Sequence, residues 1–203
     1  MSQSKNDVSG LADSDLTETR LDGETVYRGS FFNVQKDNVR LPDGGLATRE
    51  YIRHPGAVVI LPLFDDGTVL LERQYRYPVG QIFIEFPAGK IDRGEDRFSC
   101  AKRELEEETG YTATNWQFVG TIHNAIGYSD EHLFIYLAQN LKAGPARPDD
   151  EEFVQPFRLP VSTLLAWVKT GKVTDVKTVI GAFWLEKIVN GQWEAEKIVS
   201  EQT

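Results

Sequence analysis

Residues 89–111 read Gly89-Lys90-Ile91-Asp92-Arg93-Gly94-Glu95-Asp96-Arg97-Phe98-Ser99-Cys100-Ala101-Lys102-Arg103-Glu104-Leu105-Glu106-Glu107-Glu108-Thr109-Gly110-Tyr111. A glycine turn leads into a helical pattern that carries four glutamates. At about 100° per residue, Glu104 and Glu108 fall about 40° apart on one face, with Glu107 at its edge. Phe98, Ala101 and Leu105 recur at helical spacing and form an apolar stripe beside them. One side of this helix is therefore anchored in a core while another gathers carboxylates. Like charges held so close raise one another's pKa, and a divalent cation removes the conflict. Oxygen ligands with no His or Cys partner suit Mg²⁺ or Mn²⁺ rather than zinc. Mg²⁺ commonly shares its shell with substrate phosphates, so the helix points to metal-assisted chemistry on a phosphate compound.

The same residues resemble the Nudix hydrolase signature: Gly, five residues, Glu, seven residues, then Arg-Glu-apolar-x-Glu-Glu-x-Gly-apolar. Gly89, Glu95, Arg103, Glu104, Leu105, Glu107, Glu108 and Gly110 match it, and Tyr111 stands where an aliphatic residue is commoner. A merely solvated acidic helix would need neither the glycine turn nor the apolar stripe. A domain of this family that binds nucleotides without hydrolysing them is the competing reading, since fold and motif alone do not prove turnover. The resemblance implies an α/β fold, the Nudix-type α/β/α sandwich with a mixed sheet, plus a small N-terminal antiparallel sheet.

Composition sets the outer limits. The chain has 203 residues, 40% of them hydrophobic and 11% aromatic, enough for one domain with a sizeable core. Its net charge of −9, from 31 acids against 22 bases, argues against a nucleic-acid coat or an anionic membrane surface. An anionic substrate then needs local help from metal ions and a few placed arginines. The single cysteine, Cys100, excludes an internal disulfide and reads as a packing residue on the helix. No apolar run reaches membrane-spanning length, and Met1 to Arg20 lacks a signal-peptide core, so a cytoplasmic location is expected.

Along the chain, residues 1–20 read as a flexible polar tail. Residues 21–52 read as an antiparallel element with Pro42-Asp43-Gly44-Gly45 as a turn, and the resemblance implies that it serves dimerisation and substrate contact. Residues 53–203 read as the main domain. Within it, Gly56–Leu63 suits a strand buried on both faces. Thr68–Arg76, Gln81–Phe86, Trp116–Ile122 and His132–Ala138 are further predicted strands. Helices are predicted over Val161–Thr170 and Asp175–Val189.

Flanking stretches are similar to ADP-ribose pyrophosphatases of the same family. They are His54–Pro62, Arg73-Gln74-Tyr75-Arg76-Tyr77-Pro78, Glu85-Phe86-Pro87-Ala88-Gly89-Lys90, Gly127-Tyr128-Ser129-Asp130-Glu131 and Asp149–Val154. Ile126 stands where the subfamily usually carries a proline, which leaves another nucleotide-sugar diphosphate, such as GDP-mannose, open as substrate. The resemblance implies Mg²⁺-dependent cleavage of ADP-ribose to AMP and ribose 5-phosphate. It implies Glu104 and Glu108 as metal ligands, with Glu107 taking part through metal or its water, and the Ala88 carbonyl and Glu152 as further metal candidates. Glu151 is the general-base candidate in Asp150-Glu151-Glu152, a loop whose register leaves Asp150 open for the same role. Arg103 and Glu95 are expected as orienting groups, Arg103 pairing with Glu107 four residues on. Arg76 and Arg49 could hold the diphosphate or terminal ribose, with surface salt bridges as the alternative. Phe31 or Phe32 could stack on adenine, Phe32 being the choice carried forward. His54, His123 and His132 lack metal-ligand spacing and are expected to be structural. A small-molecule nucleotide diphosphate sugar and a second copy of the chain, forming a homodimer, are the expected partners.

Overall fold

The structure, a computed structural model, describes residues 16–147 and 153–197, the last two as backbone alone. The chain divides into two compact units, Met1–His54 with Ala125–Asp130, and Pro55–Asn124 with Glu131–Thr203.

The first unit is a three-stranded antiparallel sheet in the order β1 (Thr19–Arg28), β2 (Asn33–Arg40), β3 (Leu46–Arg53). Its second turn follows the chemistry of its residues. Gly44 takes φ +88°, and the Asp43 carboxylate accepts from the Gly45 N–H at 2.8 Å. Thr19 and Arg20, expected in the tail, belong to β1, because pairing with β2 recruits them. Arg20 donates to Asp37 at 2.9 Å, and the Tyr51 hydroxyl donates to the same oxygen at 3.0 Å. Asp37 faces Gly23 in register, and a side-chain carbon on Gly23 would collide with its carboxylate. Ala125–Asp130 joins this unit through the edge of β3. The Ile52 N–H donates to the Tyr128 carbonyl at 2.8 Å, and the Asp130 carboxylate takes Arg53 at 2.9 Å and the His54 N–H at 2.8 Å.

The second unit is organised by β4 (Ala57–Pro62), every residue of which is buried. It pairs in parallel with β9 (His132–Ala143) and antiparallel with β7 (Ala88–Lys90). Side chains alternate across a strand, so this pair feeds two cores. Val59 and Leu61, in register with Ile135 and Leu137, pack with Leu164, Ala182 and Leu185. Val58 and Ile60 pack on the other face with Cys100, Ala101, Leu105, Trp116 and Tyr136. The second face is covered by helix α1 (Arg97–Thr109) and the first by α2 (Val161–Lys169) and α3 (Val176–Val189). Strand β8 (Tyr111–His123) and the short β11 (Glu196–Lys197) complete a mixed sheet in the order β11-β8-β9-β4-β7. A second sheet runs β10 (Val154–Pro160), β5 (Thr68–Arg76), β6 (Gln81–Glu85). The layers are the expected α/β/α sandwich.

Strands β7 and β10 were not anticipated. Three residues are too few to show an alternating pattern. Pro156 and Pro160 obscure β10, which tolerates them because it lies at a sheet edge. Helix ends obey their capping residues. Asp96 accepts from the N–H groups of Phe98 and Ser99, both at 3.0 Å, and Gly110 closes α1 at φ +73°.

The Arg20 hydrogen bond is the main influence holding the Asp37 carboxyl below its usual value of 3.8, against the opposing effect of burial. Its contribution to stability is therefore complete above that value and lost as pH falls through the lower folded one. Asp37→Asn should lower hydrogen-exchange protection of the β1–β3 amides at neutral pH, and the gap from wild type should close as pH falls below about 4. Equal protection in the two proteins at pH 7 would contradict the assignment.

Candidate functional site

Helix α1 is oriented by its apolar stripe. Leu105 and Ala101 are fully buried against β4, and Phe98 packs edge-on to Trp116 at 5.6 Å between ring centres. That anchoring turns the neighbouring face, with Glu104 and Glu108, toward the segment that follows β6. Both carboxylates are buried, Glu104 at 7% exposure and Glu108 at 1%. Glu108 accepts from the Ala88 N–H at 3.1 Å. Glu104 lies against Gly89, where its carboxylate fills the space that a side chain on residue 89 would need. The glycine is thus required by close approach, and the turn and the helix acid fit as one unit.

Arg103 binds this group together. Its Nε and Nη2 donate to the two oxygens of Glu95, each at 2.9 Å. Its Nη1 donates to Glu107 at 2.9 Å and lies 2.8 Å from Glu104 Oε1. The pairing with Glu107 is the one expected from spacing, whereas those with Glu95, ahead of the helix, and with Glu104 are not set by it. The Arg103 hydrogen bonds, working against burial, hold Glu95 down at about 2. Arg103 itself is raised well above the ordinary guanidinium range, chiefly by Glu95. Cys100, fully buried, has its thiol pushed far up by burial and then by Glu104 and Glu95. It stays a neutral thiol, its Sγ 3.3 Å from the Lys90 carbonyl, and is no nucleophile. Glu106 is exposed, as expected.

Among the described residues, no group of three or more His, Cys, Asp or Glu side chains gathers in metal-ligating geometry. Two buried carboxylates beside a bare glycine nevertheless fit a hard cation that takes the rest of its shell from water and substrate. Glu151 and Glu152, and with them Asp150, lie outside the described residues.

The expected substrate contacts are engaged within the protein. Arg76 makes two parallel hydrogen bonds to Glu85, both 2.8 Å. Arg49 pairs with Glu18, its Nε at 2.9 Å. Phe32 sits in the β1–β2 turn with its ring 4.9 Å from Phe31 and 5.8 Å from Tyr27. His132 and His123 face each other across β8 and β9, and His54 stacks edge-on to Phe31. Sequence reasoning assigned no role to Glu85, Asp175 or Lys177. The signal was present: Glu85 closes a strand just ahead of the Pro87-Ala88-Gly89 turn, and Lys177 interrupts a largely apolar helix.

Comparison with known proteins bears on these arrangements. Residues 53–178 match the NUDIX domain, and residues 18–52 match the nucleoside diphosphate sugar hydrolase N-terminal domain. The chain is 33% identical to an ADP-ribose pyrophosphatase of Bacillus subtilis over 84% of its own length and 94% of the relative's. It is 35% identical to a methanol dehydrogenase activator of Bacillus methanolicus, covering 83% of this chain and 92% of that one. A crystal structure of an ADP compounds hydrolase superposes with a TM-score of 0.77 at 26% identity, covering 87% of this chain and 97% of the other. The buried acid pair, the glycine against which Glu104 closes and the arginine that meets Glu104 stand in a matched domain spanning more than half the chain, and the protein belongs to the Nudix hydrolase family.

Proposed function

We propose that this Nudix hydrolase cleaves the diphosphate of ADP-ribose with Mg²⁺, or Mn²⁺ in its place, to give AMP and ribose 5-phosphate. The observation that carries this reading is the buried Glu104–Glu108 pair on one face of α1, with Glu104 against Gly89 and Glu108 on the Ala88 N–H. The similarity to an ADP-ribose pyrophosphatase over nearly the whole chain supports the substrate class.

Glu104 and Glu108 would hold the cation, with Glu107, Glu152 and the Ala88 carbonyl as further donors. When bound, the cation supplies charge neutralisation and polarisation of a phosphoryl oxygen. The chain's own residues do the rest. Arg103 fixes the rotamers of Glu104 and Glu107 and is itself fixed by Glu95, so the acid pair is organised before substrate arrives. Glu151 is the proposed base that takes the proton of the attacking water, with Asp150 the neighbouring alternative. Arg76 and Arg49 are proposed to meet the diphosphate or terminal ribose, and Phe32 to stack on adenine. The expected setting is a cytoplasmic homodimer in which the N-terminal sheet contributes across the interface. Cleavage of a different nucleoside diphosphate sugar is the second reading. It is favoured by Ile126 in place of the subfamily proline and by the broader description of the N-terminal domain.

A hydrolysis panel of ADP-ribose, GDP-mannose, NADH, diadenosine polyphosphates and nucleoside triphosphates, with Mg²⁺ and with chelator, separates these readings. ADP-ribose should give the highest kcat/KM, and chelator should abolish it. Glu104→Gln and Glu108→Gln should each lower kcat by about a hundredfold or more while the fold survives. Near-normal rates in both variants would reject the metal assignment, and metal-independent binding without phosphate release would favour a sensor. Gly89→Ala should reduce kcat by a similar factor, because the added methyl group displaces the Glu104 carboxylate. Full activity in that variant would show that the close approach is dispensable.

A further inference from the structure

A buried network of charges lies outside the acid pair. Glu85, at the end of β6, is 1% exposed and faces Glu72 directly across the β5–β6 ladder. Two cations converge on it. Arg76 binds both of its oxygens, and Lys177 Nζ, from the first turn of α3, bonds Oε2. Lys177 is itself buried and bonds Asp175 Oδ2 at 3.1 Å, the same oxygen that caps α3 by accepting from the Thr178 N–H at 3.0 Å. The Thr178 hydroxyl donates to Asp175 at 2.6 Å and accepts from the Phe86 N–H at 3.0 Å. The start of α3 is therefore bolted to residues 85 and 86. At about 3.3 Å per extended residue, Glu85 lies roughly 10 Å along the chain from Ala88, whose N–H meets Glu108. The network thus abuts the segment that shapes the acid pair.

Two cations, Arg76 and Lys177, offset the carboxylates Glu85, Asp175 and Glu72, and without Lys177 Arg76 would offset them alone. Burial raises the Glu85 carboxyl, but Arg76 and Lys177 together outweigh it and keep it ionised. With Nε and Nη2 of Arg76 committed to Glu85, its Nη1 edge is the free one among the described residues, and 41% of its side chain is exposed.

We infer that Lys177 is a positioning residue for substrate binding: by sharing Glu85 Oε2 with Arg76, it leaves the Arg76 guanidinium oriented and less fully neutralised toward an anionic diphosphate. The inference rests on the proposal that Arg76 meets substrate, and it adds the group that sets how much of the Arg76 charge is available. Lys177 touches neither substrate nor the reacting atoms. Its effect belongs in KM and not in kcat, which depends on Glu104 and Glu108.

The test is a set of steady-state measurements on ADP-ribose with Mg²⁺ for Arg76→Gln, Lys177→Met and the double variant Glu85→Gln/Lys177→Met. Lys177→Met should raise KM roughly three- to thirtyfold, the scale of one charge acting at intermediate dielectric, and change kcat less than about twofold. The double variant removes both charges, avoids a buried carboxylate with a single partner and should return KM to within about threefold of wild type. A merely structural role for Lys177 would instead give losses that add. If Lys177→Met does not fold, the double variant carries the test alone, and a KM raised about tenfold or more there overturns the inference. A raised KM in Arg76→Gln beside an unchanged KM in Lys177→Met overturns the inference alone. An unchanged KM in Arg76→Gln overturns the proposed role of Arg76 and this inference with it.

Discussion

Taking a carboxylate out of water costs on the order of several kcal/mol, and α1 does this twice within one turn. Both are buried, Glu104 against Gly89 and Glu108 against the Ala88 N–H. Protein groups offset part of that cost. Arg103 lies against Glu104, and the Ala88 N–H donates to Glu108. The cation proposed for this pair would offset more of the cost in one contact than several hydrogen bonds do singly. The surrounding architecture keeps these two acids together.

The sheet does this by dividing its side chains. Strand β4 sends Val58 and Ile60 to the core under α1 and Val59 and Leu61 to the core under α2 and α3. It also hydrogen-bonds to β7, whose Ala88 and Gly89 meet the acids. One buried strand therefore fixes both the helix that carries the carboxylates and the turn that receives them. Arg103 then orients Glu104 and Glu107, and Glu95 orients Arg103. The same segment is held from the other side by the first turn of α3 through Lys177 and Thr178. Three sources of order thus converge on residues 85–90: a β-ladder, a helix face and a buried ion network.

Much of this was legible in the sequence because it depends on periodicity and local chemistry. The helix that carries the acids, its apolar stripe, the Arg103–Glu107 pair and the doubly buried strand within Gly56–Leu63 all follow from spacing. What escaped depends on contacts between distant residues. Glu85 and Lys177 are 92 positions apart, and no local pattern joins them. Strand β7 is too short to show an alternation, and β10 carries prolines that only an edge position permits. The arginines expected to meet substrate were found paired with Glu85 and Glu18, partners that sequence spacing does not reveal. The departure at Ile126 was visible, and its side chain is 82% exposed on a loop joined by backbone hydrogen bonds to β3.

The most direct test of the central claim is the location of a bound metal. Crystals grown or soaked with Mn²⁺ should show anomalous density within coordination distance of carboxylate oxygens from both Glu104 and Glu108, and that density should vanish in Glu104→Gln/Glu108→Gln. Well-ordered Glu104 and Glu108 side chains with no anomalous peak between them, at a Mn²⁺ concentration that saturates activity, would contradict the account.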